Sequence, residues 1–400
     1  MKILVVDNML VPFSTNSVPG GTERRNISDA VAFAKQGHEV FFTVAMQPED
    51  FAKNKEFEGV KLWCLHKEGK EETDQPPRSW QKTVTSRLDK YMEMYGPMDV
   101  VHYGCNSFYW LAKHLMQKHG LPLNTQIGNY LSGNDLYDVG RLRDLFLLKS
   151  LGAHFVANTQ VCARKFQDQI FKLKKSGKLD DLKQDVSVPL FHHVNKNNAG
   201  VGFVGNTEEG PIREDGGYAV IAARADPAKK VGMFANVNFP LKVFLKHRSS
   251  TDKNGFFQKL VSKLEKNPNI EVLVDQPYTR IMKSMSRARL VIVSWPDETF
   301  GLTAFEAASF GVPTAVFVRK EGDDNATQEF LTEITQPPMF SYENSEWKHY
   351  LDILMEKPSS LKSRTRLAQR CCERYSYEAY VKERISSLKK AIKIHSRINS

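Results

Sequence analysis

The feature that most constrains the fold is the alternation of short apolar runs with longer segments of helical composition. The clearest run, ARLVIVSW, is rich in Val, Leu and Ile and has the composition of a strand buried on both faces, as in a parallel sheet. In chain order the runs are KILVVD, EVFFTVA, VKLWCL, DVVHYG, HFVAN, YAVIAA, LKVFLK, IEVLVD, LVIVSW and TAVFV. Strands that alternate with helices in this way predict a doubly wound α/β fold.

Chain length and a change in composition predict two domains. A chain of 400 residues is longer than one hydrophobic core usually supports. The segment 191–202 is polar and rich in Asn, so we place the boundary there, with domains at 1–196 and 197–378. Each half has its own strands, which predicts two Rossmann-like domains facing each other across a cleft. Residues 379–400 are predicted to form an amphipathic helix that packs back on the N-terminal domain. Its apolar face comprises Val381, Ile385, Leu388 and Ile392.

Composition and charge narrow the classes of function. No run of 18 or more apolar residues is present to span a membrane, and the N-terminus turns polar too early for a signal peptide. The 5 cysteines show no metal-ligand spacing and favour the cytoplasm, or the host cytoplasm if a phage encodes the chain. The net charge of +10 leaves three interpretations open: anionic substrates, a nucleic-acid surface, or an anionic membrane face.

The segment WPDETFGLTAFEAASFGVPT, residues 295–314, carries the clearest site signal. It follows the apolar run ARLVIVSW, so it predicts a strand, a tight turn and a helix that stops at Gly311. In open α/β sheets, ligands bind where a strand ends and a helix begins, and helix N–H groups there attract anions. Glu298 and Glu306 would repel a phosphate and suit sugar hydroxyls, so the segment predicts a ligand with both groups. The N–H donors are those of Phe300, Gly301, Leu302 and Thr303.

Four motifs, in the same order, resemble those of a known enzyme class. Glu298 and Glu306 with Gly311 and Pro313 resemble the donor motif of retaining nucleotide-sugar glycosyltransferases with two Rossmann domains, the GT-B class. The similarity is greatest to the glycogen-synthase-like and sucrose-synthase-like clan. The other matching stretches are PGGTERR with AKQGHEV, DVVHYG, and AARADPAKKVG. The resemblance implies sugar transfer from a nucleoside diphosphate sugar, which is a co-substrate, with no cofactor.

The resemblance also implies roles for individual residues. Arg224 matches the arginine and Lys229 the lysine that neutralise the diphosphate as the sugar–phosphate bond breaks. Glu298 matches a residue that contacts hydroxyls of the transferred sugar, and these three form the predicted catalytic set. Glu306 would accept hydrogen bonds from the ribose hydroxyls. The predicted donor-binding set is Gly20, Gly21, Lys230, Phe300, Gly301, Leu302, Thr303 and Glu306.

Alternative roles remain open for several of these residues. Arg224 could form a surface salt bridge, Glu306 could be an ordinary helix carboxylate, and Gly20 with Gly21 could form a plain turn. Lys230 stands next to Lys229, and either could reach the diphosphate. No Asp-x-Asp motif is present, so no metal is expected.

The acceptor is the less constrained substrate. The relatives' histidine beyond the DVVHYG strand has no counterpart in NTQIGNYLSGND, although His102 in that strand is kept. The stretch RSWQKTVTSR, which we predict to be a loop, combines Trp80 with Arg78, Lys82 and Arg87 and suits a phosphate backbone. With His102 these four are the predicted acceptor-binding residues.

These residues favour a hydroxymethylated pyrimidine of DNA as acceptor, as in phage DNA-modifying members of the class, which present the base to the cleft, for example by flipping it. The rival is a polysaccharide or glycolipid at a membrane face, for which the segment 163–178 would be the membrane-binding helix. A more distant alternative is a protein that binds sugar nucleotide or nucleic acid without catalysis.

Overall fold

The computed structural model describes eleven parts of the chain, and side chains at 21–24, 78–80 and 135–137 fall outside that description. The described residues are 1–7, 21–44, 53, 55–65, 78–104, 109–127, 135–180, 189–194, 214–247, 255–298 and 300–400. The chain divides into two compact units. Unit 1 comprises Met1–Asn198 and Glu378–Ser400, and unit 2 comprises Ala199–Tyr377.

Unit 1 is built on an eight-stranded sheet among the described residues, in the order β3-β4-β2-β1-β5-β6-β7-β8. All neighbouring pairs are parallel except β3 with β4. The strands are β1 Lys2–Val6, β2 Glu39–Val44, β3 Glu56–Phe57, β4 Val60–Cys64, β5 Val100–Tyr103, β6 Leu123–Ile127, β7 His154–Ala157 and β8 His193–Val194. Its described helices are α1 Gly21–Lys35, α2 Arg78–Tyr95, α3 Tyr109–His119, α4 Asp135–Ser150, α5 Gln160–Lys175 and α12 Tyr377–Asn399.

Unit 2 has a six-stranded sheet among the described residues, in the order β11-β10-β9-β12-β13-β14, and every pair is parallel. The strands are β9 Ala219–Arg224, β10 Leu241–Lys246, β11 Ile270–Val274, β12 Leu290–Val293, β13 Thr314–Val318 and β14 Met339–Ser341. Its described α-helices are α6 Phe256–Leu264, α7 Tyr278–Met285, α8 Leu302–Ser309, α9 Ala326–Leu331, α10 Trp347–Glu356 and α11 Leu361–Arg374. Two short 3-10 helices, Pro227–Lys229 and Val231–Asn236, follow β9.

The central strands are apolar because both faces of each sheet are covered. In unit 1, Leu4 belongs to one core cluster and Ile3 to another, so alternate residues of β1 pack against opposite layers. In unit 2, Ile292 and Val291 of β12 divide in the same way. These buried parallel sheets confirm the predicted α/β fold with two Rossmann-like units and a long C-terminal helix.

Helix α12 packs within unit 1 through a buried polar network. The Asp29 carboxylate in α1 forms an ion pair with Arg384 Nε at 3.2 Å and accepts a hydrogen bond from the Tyr380 hydroxyl. Burial alone would raise the pKa of Asp29, but Arg384 and His102 hold it well below its usual range. Leu388 of α12 lies in the same core cluster as strand residues of β1 and β2. The helix therefore contributes both apolar and charged contacts to the unit.

One local prediction was wrong: the basic stretch RSWQKTVTSR is the first part of helix α2 and not a loop. Val84 and Leu88, four residues apart, are both fully buried in the core. This spacing gives the helix an apolar face, which outweighs the polar composition of the rest of the stretch. Among the described helices, none is long and apolar enough to cross a membrane.

Candidate functional site

Strand β12 is followed by a turn and then by helix α8, as the sequence pattern predicted. Its four residues are buried, and the chain then turns before α8 begins at Leu302. Gly301 at the N-terminal boundary of α8 has φ 84° and ψ 56°, a left-handed conformation that favours glycine. Among the described residues, no side chain caps the helix at Gly301. The N–H groups of Ala304 and Phe305 bond to the Gly301 carbonyl, so the N–H groups of Leu302 and Thr303 are the first-turn donors that could face a ligand.

The start of helix α9 packs against the turn that precedes α8 and holds it in place. Asn325, which caps α9, is buried and donates to the carbonyl oxygens of Trp295, Pro296 and Phe317 at 3.1–3.3 Å. A Cβ atom on Gly301 would lie 2.2 Å from Thr327 Oγ1, so the turn packs directly against α9. We call Arg224, Lys229, Trp295, Glu298 and the start of α8 the helix-start site.

Lys229 is the most perturbed group at the helix-start site. Its Nζ lies 3.2 Å from the centroid of the Trp295 ring and 3.9 Å from Glu298 Oε2. Burial lowers the pKa of Lys229 to about 8, although Glu298 opposes the shift. Ser294 Oγ donates to the Lys229 carbonyl at 2.7 Å and ties the 3-10 turn to the end of β12. A mostly buried ammonium that is only partly neutralised by a carboxylate 3.9 Å away is the kind of perturbed group found at anion-binding sites.

The structure distinguishes the two adjacent lysines. The Lys230 side chain is exposed and its backbone is left-handed, at φ 55°. The Lys229 side chain is mostly buried and contacts Glu298. Of the two, Lys229 is therefore the residue that belongs to the helix-start site.

Arg224 is the last residue of β9 and is partly exposed. Because β9 and β12 are parallel neighbours, their carboxyl ends meet at the same edge of the sheet. The charge of Arg224 contributes to the lowered pKa of Lys229, so the two cations are close enough to repel each other. Among the described residues, Arg224 forms no salt bridge, which disfavours the alternative of a surface ion pair.

Glu306 lies inside helix α8 and is 1% exposed. The hydroxyl of Tyr278, at the start of α7, donates to its Oε1 at 2.8 Å. Because this carboxylate is almost fully buried and already accepts a hydrogen bond from Tyr278, its contact with ribose stays a prediction beside the alternative of an ordinary helix carboxylate. Neither Tyr278 nor Trp295 was predicted from the sequence. Their position could have identified them, because Tyr278 follows β11 and Trp295 follows β12 within a few residues, and ligand-binding residues of α/β folds lie at the carboxyl ends of strands.

The predicted site residues of unit 1 are only partly described. Gly20 lies outside the described residues, and Gly21 is the first residue of α1. Arg78 and Trp80 belong to the first turn of α2, with side chains outside the description. Lys82 is exposed and Arg87 is partly exposed on the same helix. Their contacts with an acceptor therefore stay predictions.

His102 lies in the core of unit 1 and is 0% exposed. Its Nε2 lies 3.0 Å from Asp29 Oδ2, and its Nδ1 lies 3.1 Å from Asn124 Nδ2. Because a carboxylate can only accept, Nε2 carries the proton and Nδ1 accepts from the amide. Burial lowers the pKa of His102, which keeps the ring neutral. This placement favours a structural role in the network beneath α12 over the predicted contact with the acceptor.

Comparisons with known proteins agree with this architecture. Residues 250–369 match the family model described as glycosyl transferases group 1, and this segment includes the strand, turn and helix with Glu298 and Glu306. No curated protein matches the sequence.

Several solved structures share the fold of two parallel-sheet units found in GT-B glycosyltransferases. Sucrose-phosphate synthase from Thermosynechococcus elongatus is 13% identical with a TM-score of 0.68, over 95% of this chain and 96% of that one. The catalytic domain of starch synthase IV from Arabidopsis thaliana, bound to ADP and acarbose, is 10% identical with a TM-score of 0.65, over 98% and 99%. Anabaena HepE in complex with UDP and glucose is 13% identical with a TM-score of 0.63, over 96% and 98%.

Proposed function

We propose that this protein is a retaining glycosyltransferase that moves a sugar from a nucleoside diphosphate sugar to a hydroxyl acceptor. The observation that carries the proposal is the convergence of Arg224, Lys229 and Glu298 at the carboxyl edge of the unit 2 sheet, beside an uncapped helix start. Two cations and helix N–H donors suit a diphosphate, and a carboxylate suits sugar hydroxyls. The solved relatives with UDP, glucose or ADP bound support this class of donor.

Each residue has a distinct part in the proposed reaction. The bond between the anomeric carbon and the diphosphate oxygen breaks, and Arg224 with Lys229 stabilises the negative charge that appears on that oxygen. Glu298 accepts hydrogen bonds from the sugar and orients it. The acceptor oxygen bonds to the same face of the anomeric carbon, and its proton passes to the departing phosphate. Glu306 holds the ribose hydroxyls of the nucleotide.

For the acceptor, we infer a hydroxymethylated pyrimidine in DNA. The net charge of +10 and the exposed lysines Lys82 and Lys90 on α2 support an interaction with phosphates. The rival membrane-face enzyme needs an apolar helix face that is open to lipid. In α5, the apolar residues Phe166 and Ile170 are buried in the core of unit 1, which leaves Phe171, at 51% exposure, as the one large apolar side chain of this helix open to solvent.

The donor reaction can be tested by incubating purified protein with a panel of nucleotide sugars and measuring both binding and donor hydrolysis. Binding without hydrolysis or transfer to any acceptor would favour the non-catalytic alternative. Arg224→Ala is the variant that should lose turnover, and Arg370→Ala is a matched control, because Arg370 is an exposed arginine on helix α11 of unit 2. The anomeric configuration of the product, read by NMR, tests retention.

The acceptor is tested separately by mass spectrometry of nucleosides from hydroxymethylated DNA after incubation with enzyme and donor. A sugar-modified nucleoside is the expected product. Donor hydrolysis with no modified nucleoside, together with sedimentation on anionic vesicles, would replace the DNA acceptor with a glycolipid.

A further inference from the structure

Three metal-binding side chains converge in unit 1. Asp89 in α2 lies between His114 and His119 of α3, and the potential ligand atoms all lie within 4.8 Å of one another. His114 Nε2 is 2.8 Å and His119 Nε2 is 2.6 Å from the same oxygen, Asp89 Oδ1. We call these three residues the Asp89 cluster. Its side chains are 17–21% exposed, so a small ion could reach them from solvent.

Lys118 orients the carboxylate at the centre of the Asp89 cluster. Its Nζ lies 2.6 Å from Asp89 Oδ2, the oxygen that the histidines do not contact. The ammonium is 56% exposed and comes from the solvent side. This leaves Oδ1, together with two imidazole nitrogens, as a three-ligand face.

The two helices that carry the Asp89 cluster are firmly packed. Leu88, next to Asp89, is 0% exposed, and Leu115, next to His114, is also 0% exposed. His119 is the last residue of α3. Residues five apart on an ideal helix point about 140° apart, so His114 and His119 would not face the same oxygen from the middle of a helix. Because His119 is at the end of α3, its side chain can turn towards Asp89 Oδ1.

We propose that Asp89, His114 and His119 bind a divalent transition-metal ion of the zinc type, with solvent as the fourth ligand. Two imidazoles and one carboxylate form a ligand set that suits Zn²⁺. Around a tetrahedral zinc, ligand atoms lie about 3.3 Å apart, as follows from metal–ligand distances of about 2.0–2.2 Å. The present spacings to Oδ1 are shorter than this by less than 1 Å, which small side-chain rotations supply. On binding, each imidazole takes the tautomer with its proton on Nδ1, which frees Nε2 to ligate the ion, and the ion then ties α2 to α3. The site is independent of the donor chemistry proposed for unit 2.

The test is a Zn²⁺ titration of the tag-free full chain after treatment with a chelator, followed by calorimetry and thermal unfolding. We expect one ion per chain and a higher Tm with Zn²⁺. Co²⁺ should add visible absorption typical of a tetrahedral site. If the wild type binds no stoichiometric ion, the proposal is overturned and the Asp89 cluster is a hydrogen-bonded contact between helices only.

Variants separate a metal site from such a contact. His114→Gln can still donate to Asp89 but is a poor zinc ligand, so it should keep the metal-free Tm and lose affinity at least about tenfold. Lys118→Ala removes a competing cation and should raise affinity several-fold. His349→Ala, an exposed histidine of unit 2, is the control for adventitious binding and should change nothing. Unchanged zinc affinity in His114→Gln would place the ion elsewhere and refute the assignment.

Discussion

A methyl group added at position 301 should destabilise unit 2 and disturb the helix-start site. Gly301 has φ 84°, where an L-residue costs about 1–2 kcal/mol. The stiffer unfolded chain of an alanine variant offsets roughly 0.4–1 kcal/mol of this, which leaves about 1 kcal/mol. The new Cβ would also lie 2.2 Å from Thr327 Oγ1 and 2.9 Å from Thr327 Cγ2, so something must move. Overpacking of this kind adds about 1–3 kcal/mol. Gly301→Ala should therefore cost about 2–4 kcal/mol.

The chain provides a matched control for the backbone part of this cost. Gly322 has φ 82°, and a Cβ atom added there would have no heavy atom within 4 Å, so Gly322→Ala should cost only about 1 kcal/mol. Both residues belong to unit 2, so the same transition in urea, followed by circular dichroism, reports both variants. Equal losses for the two variants would refute the steric argument.

A second variant isolates the clash itself. Thr327 Oγ1 is buried and has no hydrogen-bond partner among the described residues, so Thr327→Ala should cost little by itself. In that background Oγ1 and Cγ2 are gone, although the Cβ atom of residue 327 still lies 2.9 Å from the added methyl group, so Gly301→Ala should cost about 1–2 kcal/mol less. An additive double variant would show that Thr327 does not set the cost.

Three further predictions concern the donor. The ammonium of Lys229, with its pKa of about 8, should gain basicity beside a diphosphate, so UDP binding takes up a proton and affinity should fall as pH rises above about 8, by up to about tenfold per pH unit. Calorimetry checks this, and Lys229→Arg should bind with no such dependence. Glu306→Gln keeps an acceptor for Tyr278 but loses the charge, so UDP affinity should fall about ten- to a hundredfold at nearly constant Tm, whereas unchanged affinity would remove Glu306 from the site. Arg224→Lys keeps the charge but loses the bidentate fork, so kcat should fall strongly while Tm stays nearly unchanged. Full activity would make Arg224 a surface residue.

Local patterns predicted those parts of the fold that depend on neighbours in sequence. The run before Trp295, Pro296 as its stop and Gly301 at the turn were enough to predict a strand and a helix start, because each signal acts within a few residues. The same logic failed for α2. There, the polar residues around Trp80 concealed an apolar pair, Val84 and Leu88, that packs on a distant part of the chain.

Contacts between residues far apart in sequence could not be predicted in this way. The bonds of His102 to Asp29, 73 residues away, and the ion pair of Asp29 with Arg384 exist only in the folded unit. The Asp89 cluster has the same origin, because its ligands come from two helices with no recognisable metal spacing between them. Side-chain chemistry is visible in a sequence, whereas the burial that decides between a ligand-binding and a structural role is not.

Without a donor, the charged side chains of the helix-start site and Glu306 are in contact with other side chains of unit 2. Lys229 lies over Trp295 and near Glu298, and Glu306 accepts from Tyr278. Donor affinity is therefore a difference between two sets of contacts, and it is lower than the new contacts alone would suggest. If Lys229 acts in the proposed reaction, its release from Trp295 would also let it follow the charge that develops on the leaving phosphate. In the proposed reaction, the carboxylate beside the lysine has two tasks: Glu298 partly compensates the buried ammonium in the empty site, and it would turn to the sugar hydroxyls once the diphosphate binds Lys229.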